Sequence, residues 1–143
     1  LGFLKFNWHP STLFMGDAGS FFLGFSLAFL SIDITQKGYG NVPPVASLLI
    51  LAVPIADTLT VMIKRMLRGK SPFFADKTHL HHMLLGFGLK IKSSVMVILF
   101  LSLISSLIAI LGTVLKVSEY HMFLIFMILF VIYFFTLFSI KYD

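Results

Sequence analysis

The chain has 143 residues, of which 58% are hydrophobic, 15% aromatic and only 12% charged. This composition is typical of an integral membrane protein and excludes an ordinary soluble domain. The absence of cysteine excludes disulfides and thiolate chemistry. The net charge of +5 has no accompanying basic patch interleaved with aromatic residues, so we expect no nucleic-acid partner and attribute the charge to membrane topology.

Four apolar segments approach the roughly 20 residues that a helix needs to cross a bilayer core. They are predicted at about 21–35, 45–63, 93–115 and 120–140, and they indicate an all-α, multi-pass membrane helical bundle. The second span contains Pro54, where we expect a kink. No charged leader precedes a cleavage site, so we expect no signal peptide and a piece of a longer chain.

The basic residues are distributed unevenly between the two ends of these spans. The loop over residues 64–92, between the second and third spans, holds seven of the eleven Lys and Arg residues. Lys5 and Lys141 fall on the same side, whereas Lys37 and Lys116 fall on the other. The positive-inside rule makes the richer side cytoplasmic. The loop and the polar segment before the first span are therefore both predicted to be cytoplasmic.

That first polar segment is Gly16-Asp17-Ala18-Gly19-Ser20. We expect Ser20 to cap the helix that follows and the small residues to let the backbone approach a ligand. A helix N-terminus favours phosphate, and a carboxylate such as that of Asp17 is a ligand that Mg²⁺ combines with substrate phosphates and water. The alternative is a capped turn with a solvated aspartate.

The second polar segment carries His79, His81 and His82 after Asp76. In a helix, Asp76, His79 and His82 would share one face, where they could bind Zn²⁺. The imidazoles could equally hydrogen-bond the phosphates and nucleotide of a soluble donor. Because Mg²⁺ disfavours imidazole, we expect Asp17 to hold the metal and the histidines to contact substrate. The alternative is an interfacial loop without chemistry, and in either case Asp17 and the histidines are expected to face one cytoplasmic cleft.

Further candidate residues lie in and after the second span. Asp57 is placed deep in the span, where a carboxylate is costly. It is either functional or satisfies backbone groups freed by Pro54. Arg65 and Arg68 follow the span, and anchoring to anionic lipid headgroups explains both, with pyrophosphate binding as the alternative.

The order of these motifs resembles the polyprenyl-phosphate N-acetylhexosamine-1-phosphate transferases, the glycosyltransferase family 4 type. The resemblance covers about residues 9 to 90 and is closest to the undecaprenyl-phosphate N-acetylglucosamine-1-phosphate transferases. The related peptidoglycan translocase normally has three adjacent histidines, which Leu80 interrupts here. The matching segments are Phe14 to Ser20, Lys64-Arg65, Ser71-Pro72-Phe73 and Asp76 with His79, His81 and His82.

The resemblance implies transfer of N-acetylglucosamine 1-phosphate from a UDP-sugar to undecaprenyl phosphate with release of UMP, which primes cell-wall or surface glycan synthesis. It implies Mg²⁺ as the cofactor, with Mn²⁺ as an alternative. It also implies a location in the bacterial plasma membrane with a cytoplasmic active site, and a homodimer is possible. Asp17 corresponds to the catalytic, metal-associated acid. The corresponding substrate-binding residues are Arg65, His79, His81 and His82, with Gly16, Asp57 and Asp76 as further candidates.

One departure from the family pattern concerns the upstream motifs. Family members carry an Asp-Asp motif and an Asn/Asp-Gly loop that complete the active site, and no Asp-Asp pair occurs here. Residues 1–143 are therefore interpreted as the C-terminal part of one integral membrane phosphoglycosyltransferase domain, inactive alone. The alternatives are a phospho-MurNAc-pentapeptide translocase-type enzyme, a transporter fragment with an ion site at Asp57 and Pro54, and a non-catalytic membrane subunit.

Overall fold

The computed structural model describes residues 2–8, 10–36, 42–71 and 79–139, which form seven helices and no strand. The predicted all-helical fold class is confirmed. The chain divides into two compact units, residues 1–44 and 45–143, which are described separately. The helices are α1 (Leu4–Asn7), α2 (Gly16–Gln36), α3 (Pro44–Ile50), α4 (Ala52–Leu67), α5 (Leu80–Gly86), α6 (Ile91–Val114) and α7 (Glu119–Ser139).

The first unit is dominated by α2, which has 21 residues and no buried side chain. At a rise of about 1.5 Å per residue, this length matches a hydrocarbon core of about 30 Å. Large apolar side chains are exposed all around the helix, among them Phe21, Phe22 and Leu23 on three different faces. A helix that is apolar on every face is suited to lipid or to packing within a membrane bundle.

The predicted second span is broken into α3 and α4, which meet at Leu51 with a bend of 76°. Pro54 lies in the first turn of α4. Proline has no N–H to donate to the carbonyl four residues earlier, that of Ile50, and its ring crowds that carbonyl. The kink that the sequence predicts near Pro54 therefore falls at Leu51, three residues before the proline.

Among the described residues, three helices, α2, α6 and α7, are long and apolar enough to cross a membrane, and the bent pair α3 and α4 would supply a fourth span. The observed bounds of α6 and α7 lie within two residues of the predicted spans at 93–115 and 120–140. Helix α2 begins five residues before the predicted start at residue 21. Its first turn is polar, so a prediction based on the length of the apolar segment does not include that turn.

Helices α4, α6 and α7 form the core of the second unit, with α5 packed against α6. Small residues line the contact face of α6, and a Cβ added at Gly112 would lie only 3.0 Å from Met122 Cε on α7. Small side chains at such positions let membrane helices approach closely. Two buried residues of α5 complete the core, where Leu80 and Met83 cluster with Leu137.

Two cross-helix contacts show that α4 and α7 run in the same direction. Asp57 of α4 bonds Tyr133 of α7, and seven residues later Lys64 donates a hydrogen bond to the carbonyl of Leu137. This is the relative direction that the second and fourth spans need in the predicted topology. Lys64, which the sequence places among the basic residues of the loop, is in fact buried, with 4% of its surface exposed.

Candidate functional site

The Gly-Asp segment is the first turn of α2 rather than a turn that precedes it. Gly16 has a φ of +64°, in the left-handed region that glycine adopts without steric cost, and Asp17 follows in the first helical turn. The expectation that Ser20 caps the helix is wrong, because Ser20 lies inside α2 and its hydroxyl donates a 2.9 Å hydrogen bond to the Gly16 carbonyl. The helix starts earlier because Gly16 provides the change in backbone direction.

Asp17 is exposed at the N-terminal end of α2, where unpaired backbone N–H groups and the helix dipole favour anions. The described parts of the chain contain no group of three or more His, Cys, Asp or Glu side chains placed to hold a metal ion. A lone carboxylate suits Mg²⁺, which is commonly bound through one or two carboxylates with substrate phosphates and water. It does not suit a structural Zn²⁺ site, which needs four protein ligands.

The three histidines lie side by side at the start of α5. His79 is the N-cap residue in an extended conformation, and its carbonyl accepts the 3.0 Å hydrogen bond from the His82 N–H. The ring centroids of His79 and His81 are 6.1 Å apart, and those of His81 and His82 are 4.0 Å apart. Asp76 lies outside the described residues, so its proposed face with His79 and His82 stays a prediction.

Asp57 connects this histidine segment to the helical bundle by hydrogen bonds. Its carboxylate lies 2.9 Å from Nδ1 of His79, and it accepts hydrogen bonds from the Leu80 N–H at 2.9 Å and the Tyr133 hydroxyl at 2.8 Å. These bonds go to the histidine segment and to α7, and none of them goes to the backbone around Pro54. These bonds therefore do not satisfy the kink, and the functional alternative for Asp57 stays a prediction.

The environment of His81 favours its neutral form. Partial burial lowers the pKa of the His81 imidazole, the neighbouring His82 and His79 rings lower it further, and Asp57 acts in the opposite direction. A neutral imidazole has one N–H donor and one acceptor nitrogen. His81 can therefore both donate and accept a hydrogen bond near neutral pH.

Sequence reasoning missed Tyr133 entirely. Its hydroxyl sits within the apolar helix α7, and a partly buried tyrosine hydroxyl usually has a hydrogen-bond partner. The sequence does contain a signal that α4 and α7 meet, because each carries a polar group, Asp57 or Tyr133, within an apolar segment. Neither residue type nor spacing identifies the pairing, because 76 residues separate the two.

The remaining candidates lie at the end of α4. Arg65 is half-buried in the last helical turn, next to Lys64, and Arg68 is exposed at the C-cap position. An exposed arginine at a helix end is consistent with the anchoring interpretation for Arg68. Arg65 and Asp57 belong with the three histidines to the second unit, whereas Gly16 and Asp17 belong to the first.

Two cavities adjoin the histidine segment in the second unit. One, of about 360 Å³, is lined almost wholly by apolar side chains of α4, α5, α6 and α7. The other, of about 330 Å³, is lined partly by Asp57, His81 and Ser102. Val53 and Leu80 line both, so polar and apolar binding space are adjacent.

Comparison with known proteins places this arrangement in a family. Residues 1–35, which include Asp17, match the profile of glycosyl transferase family 4. The chain is 38% identical over 125 residues to the undecaprenyl-phosphate alpha-N-acetylglucosaminyl 1-phosphate transferase of Haemophilus influenzae, a match to 87% of this chain and 35% of the relative. The chain belongs to glycosyl transferase family 4. Because a match of that extent necessarily includes residues 79–82, the histidine segment is part of the likeness.

Two further relatives agree with this membership. A probable undecaprenyl-phosphate N-acetylglucosaminyl 1-phosphate transferase of Bacillus subtilis is 46% identical over 111 residues, 77% of this chain and 31% of the relative. The undecaprenyl-phosphate alpha-N-acetylglucosaminyl 1-phosphate transferase of Escherichia coli K12 is 32% identical over 123 residues, 86% of this chain and 33% of the relative. The family 4 chain thus spans about a third of the length of these relatives. No solved structure matches it.

Proposed function

We propose that this family 4 chain supplies part of the active site of a membrane enzyme that transfers N-acetylglucosamine 1-phosphate from UDP-N-acetylglucosamine to undecaprenyl phosphate. The observation that carries the proposal is the set of three adjacent imidazoles, held by Asp57 at the edge of a helical membrane unit. The names of the relatives give the lipid phosphate and the sugar 1-phosphate. The UDP donor and the priming of cell-wall or surface glycan synthesis are part of the same proposal.

The reaction is a phosphoryl transfer between two phosphorylated substrates. An oxygen of undecaprenyl phosphate forms a bond to the β-phosphorus of the UDP-sugar. The bond from that phosphorus to the bridging oxygen breaks, and UMP leaves with the electron pair. Negative charge builds on the phosphate oxygens during this exchange, so positive charge and N–H donors aimed at them accelerate it.

Within this proposal, Asp17 holds the divalent cation, Mg²⁺ or Mn²⁺, which supplies charge neutralisation when bound. The exposed carboxylate at a helix N-terminus supports that role, since backbone N–H groups there also attract phosphate. Neutral His81 and its neighbours His79 and His82 supply hydrogen bonds to the donor substrate. Arg65 is a proposed further contact of the phosphates, Asp76 is a further candidate site residue, and Gly16 sets the direction of the turn.

The location follows from the distribution of charge and apolar length. Three apolar helices suit a multi-pass membrane protein, and the basic residues cluster beside the histidine segment. We propose that this face is cytoplasmic in a bacterial plasma membrane, where UDP-sugars are available. The bilayer supplies the lipid substrate, and a homodimer is compatible with the large apolar surface left exposed.

The histidine pattern separates the proposal from its nearest alternative. Leu80, which interrupts the histidines, is buried with Met83 and Leu137 and anchors α5 in the core. A phospho-MurNAc-pentapeptide transferase would carry a histidine there by resemblance. The transporter alternative predicted an ion site at the broken helix, yet Asp57 is engaged by His79, Leu80 and Tyr133.

The test is donor-dependent release of UMP by the full-length protein in detergent with undecaprenyl phosphate and Mg²⁺. We expect product with UDP-N-acetylglucosamine and none with UDP-MurNAc-pentapeptide. A chromatographic assay of the lipid-linked sugar phosphate and of UMP measures both products. Release of UMP only with the pentapeptide donor would establish the alternative, and no product with any UDP-sugar would refute the proposal.

A further inference from the structure

Asp57 collects hydrogen bonds from two elements that are distant in sequence. His79 and Leu80 begin the histidine helix α5, and Tyr133 belongs to α7. All three groups reach the same carboxylate, at 2.8 to 2.9 Å. The carboxylate is partly shielded from water, with a side-chain exposure of 19%, so these bonds are stronger than they would be at the surface.

The bond between Asp57 and His79 determines which nitrogen of His79 carries a proton. A carboxylate only accepts hydrogen bonds, so Nδ1 of His79 must be the donor to Asp57. In the neutral Nδ1–H tautomer, Nε2 carries no proton and can accept a hydrogen bond, and a third of the His79 side chain is exposed. The Tyr133 hydroxyl and the Leu80 N–H both bind Oδ1, which leaves Oδ2 directed at the imidazole.

We propose that Asp57 and Tyr133 are positioning residues for the transfer reaction, which orient the His79 ring and fix its Nδ1–H tautomer so that Nε2 faces the donor substrate. The role of His79 in catalysis rests on the proposed function, whereas the tautomer is a property of the protein without substrate. Carboxylates hold functional imidazoles in this way at metal sites, where their loss commonly costs about 10- to 100-fold in activity or affinity.

Asp57→Asn is the informative substitution because it preserves shape and reverses one hydrogen bond. The new amide oxygen can still accept from Tyr133 and Leu80, while the amide NH₂ then faces Nδ1 and turns it into an acceptor. The proton of His79 must then move to Nε2. Tyr133→Phe removes only the hydroxyl that holds the carboxylate, and Tyr120→Phe, at an exposed position on the same helix, is the matched control.

Nitrogen-15 NMR of histidine-labelled full-length protein, at a pH where the imidazoles are neutral, measures the tautomer directly. A His79→Gln variant assigns the His79 signals. We expect the Nδ1–H form in the wild type and in Tyr120→Phe, and the Nε2–H form in Asp57→Asn. An Nε2–H form of His79 in the wild type, or an unchanged tautomer in Asp57→Asn, would overturn the proposal.

Kinetics with UDP-N-acetylglucosamine tests the consequence for turnover. We expect kcat to fall about 10- to 100-fold in Asp57→Asn and less in Tyr133→Phe, with an unchanged KM for undecaprenyl phosphate and wild-type values in Tyr120→Phe. If the wild type makes product and the kcat of both variants stays within about threefold of the wild-type value, the positioning role is refuted and the proposed function is not. If the wild type makes no product, the proposed function fails, and NMR still decides the tautomer. If Asp57→Asn does not fold, Tyr133→Phe decides the kinetic question.

Discussion

At the scale of single residues, the two candidate aspartates differ in their surroundings. Asp17 lies exposed at the start of α2, whereas Asp57 lies half-buried with three hydrogen-bond donors. An exposed carboxylate keeps its oxygens available for a cation. A carboxylate that already accepts three hydrogen bonds orients the neighbouring donors instead. The two aspartates are thus expected to respond differently to the same substitution.

Asp17→Asn should abolish transfer while leaving insertion and folding intact. The substitution keeps the shape and removes the charge that holds the cation, and such a loss commonly costs about 100-fold or more in rate. UMP release by full-length protein at saturating Mg²⁺ measures it. Asp33→Asn, near the other end of α2, is the control and should stay near wild type. Activity of Asp17→Asn within about threefold of wild type would show that the Asp17 charge is not needed for transfer and that the residue has only a structural role.

The lowered pKa of His81 predicts an acid-dependent loss of stability. Since the folded protein holds the His81 pKa below its ordinary value, the unfolded chain binds more protons between the two values. Stability therefore rises with pH through that window and falls on acidification below about pH 6.5, the ordinary histidine value.

Thermal unfolding of the wild type and of His81→Gln between pH 5 and 8 measures this contribution. His82, His79 and Asp57 all influence the pKa of His81, so a variant that lacks only the His81 imidazole isolates its contribution. We expect a shallower acid dependence in His81→Gln, and the wild-type slope in a His121→Gln control outside the cluster. A steeper acid dependence in His81→Gln than in the wild type would contradict the prediction that His81 lowers stability on acidification.

At the scale of elements, buried polar contacts fix how helices of the second unit meet. Asp57 connects α4 with α5 and α7, and Lys64 connects the end of α4 with the end of α7. A cation at a helix C-terminus interacts favourably with unpaired carbonyls and with the helix dipole. The buried Lys64 therefore has a structural role that its position in a basic loop does not suggest.

Lys64→Met should destabilise the second unit. The substitution keeps the length of the side chain and removes the donor to the Leu137 carbonyl, and hydrogen bonds to charged groups contribute about 1.5–3 kcal/mol. We expect the thermal midpoint of the full-length protein in detergent to fall by several degrees. Arg68→Met, at an exposed position four residues later, should leave the midpoint unchanged. Equal midpoints for the two variants would show that Lys64 has no such role.

At the scale of the whole molecule, the distribution of apolar helices and basic residues sets the topology. The bent pair α3 and α4 must count as one span if residues 14–20 and the histidine segment are to share a membrane face. A helix break in a membrane is tolerated where the protein satisfies the freed backbone groups. Here the topology can be measured directly, because the chain has no cysteine of its own.

Single-cysteine variants of the full-length protein, with any other cysteines removed, should label from opposite sides. We expect a membrane-impermeant maleimide to label Glu119→Cys in intact cells, and Ala18→Cys and Lys70→Cys only after permeabilisation. The native residues at all three positions are exposed. Labelling of Ala18→Cys and Lys70→Cys from different sides would refute both the topology and the shared site.

The sequence by itself determined the helical class and the approximate extent of α6 and α7, because apolar length is a local property of the chain. It also located both polar segments, since each interrupts an apolar run. The start of α2 at Gly16 was misjudged, because a polar first turn resembles the loop before a helix.

Only the tertiary structure decided the partners of Asp57 and Lys64. Each forms its key bond to α7, across 76 and 73 residues of sequence respectively. An apolar environment requires a buried polar group to find a partner, and several groups in this chain could have served. Which partner is chosen depends on which helix faces pack together, and that is set by the small residues and side-chain shapes of α4, α6 and α7 rather than by local pattern.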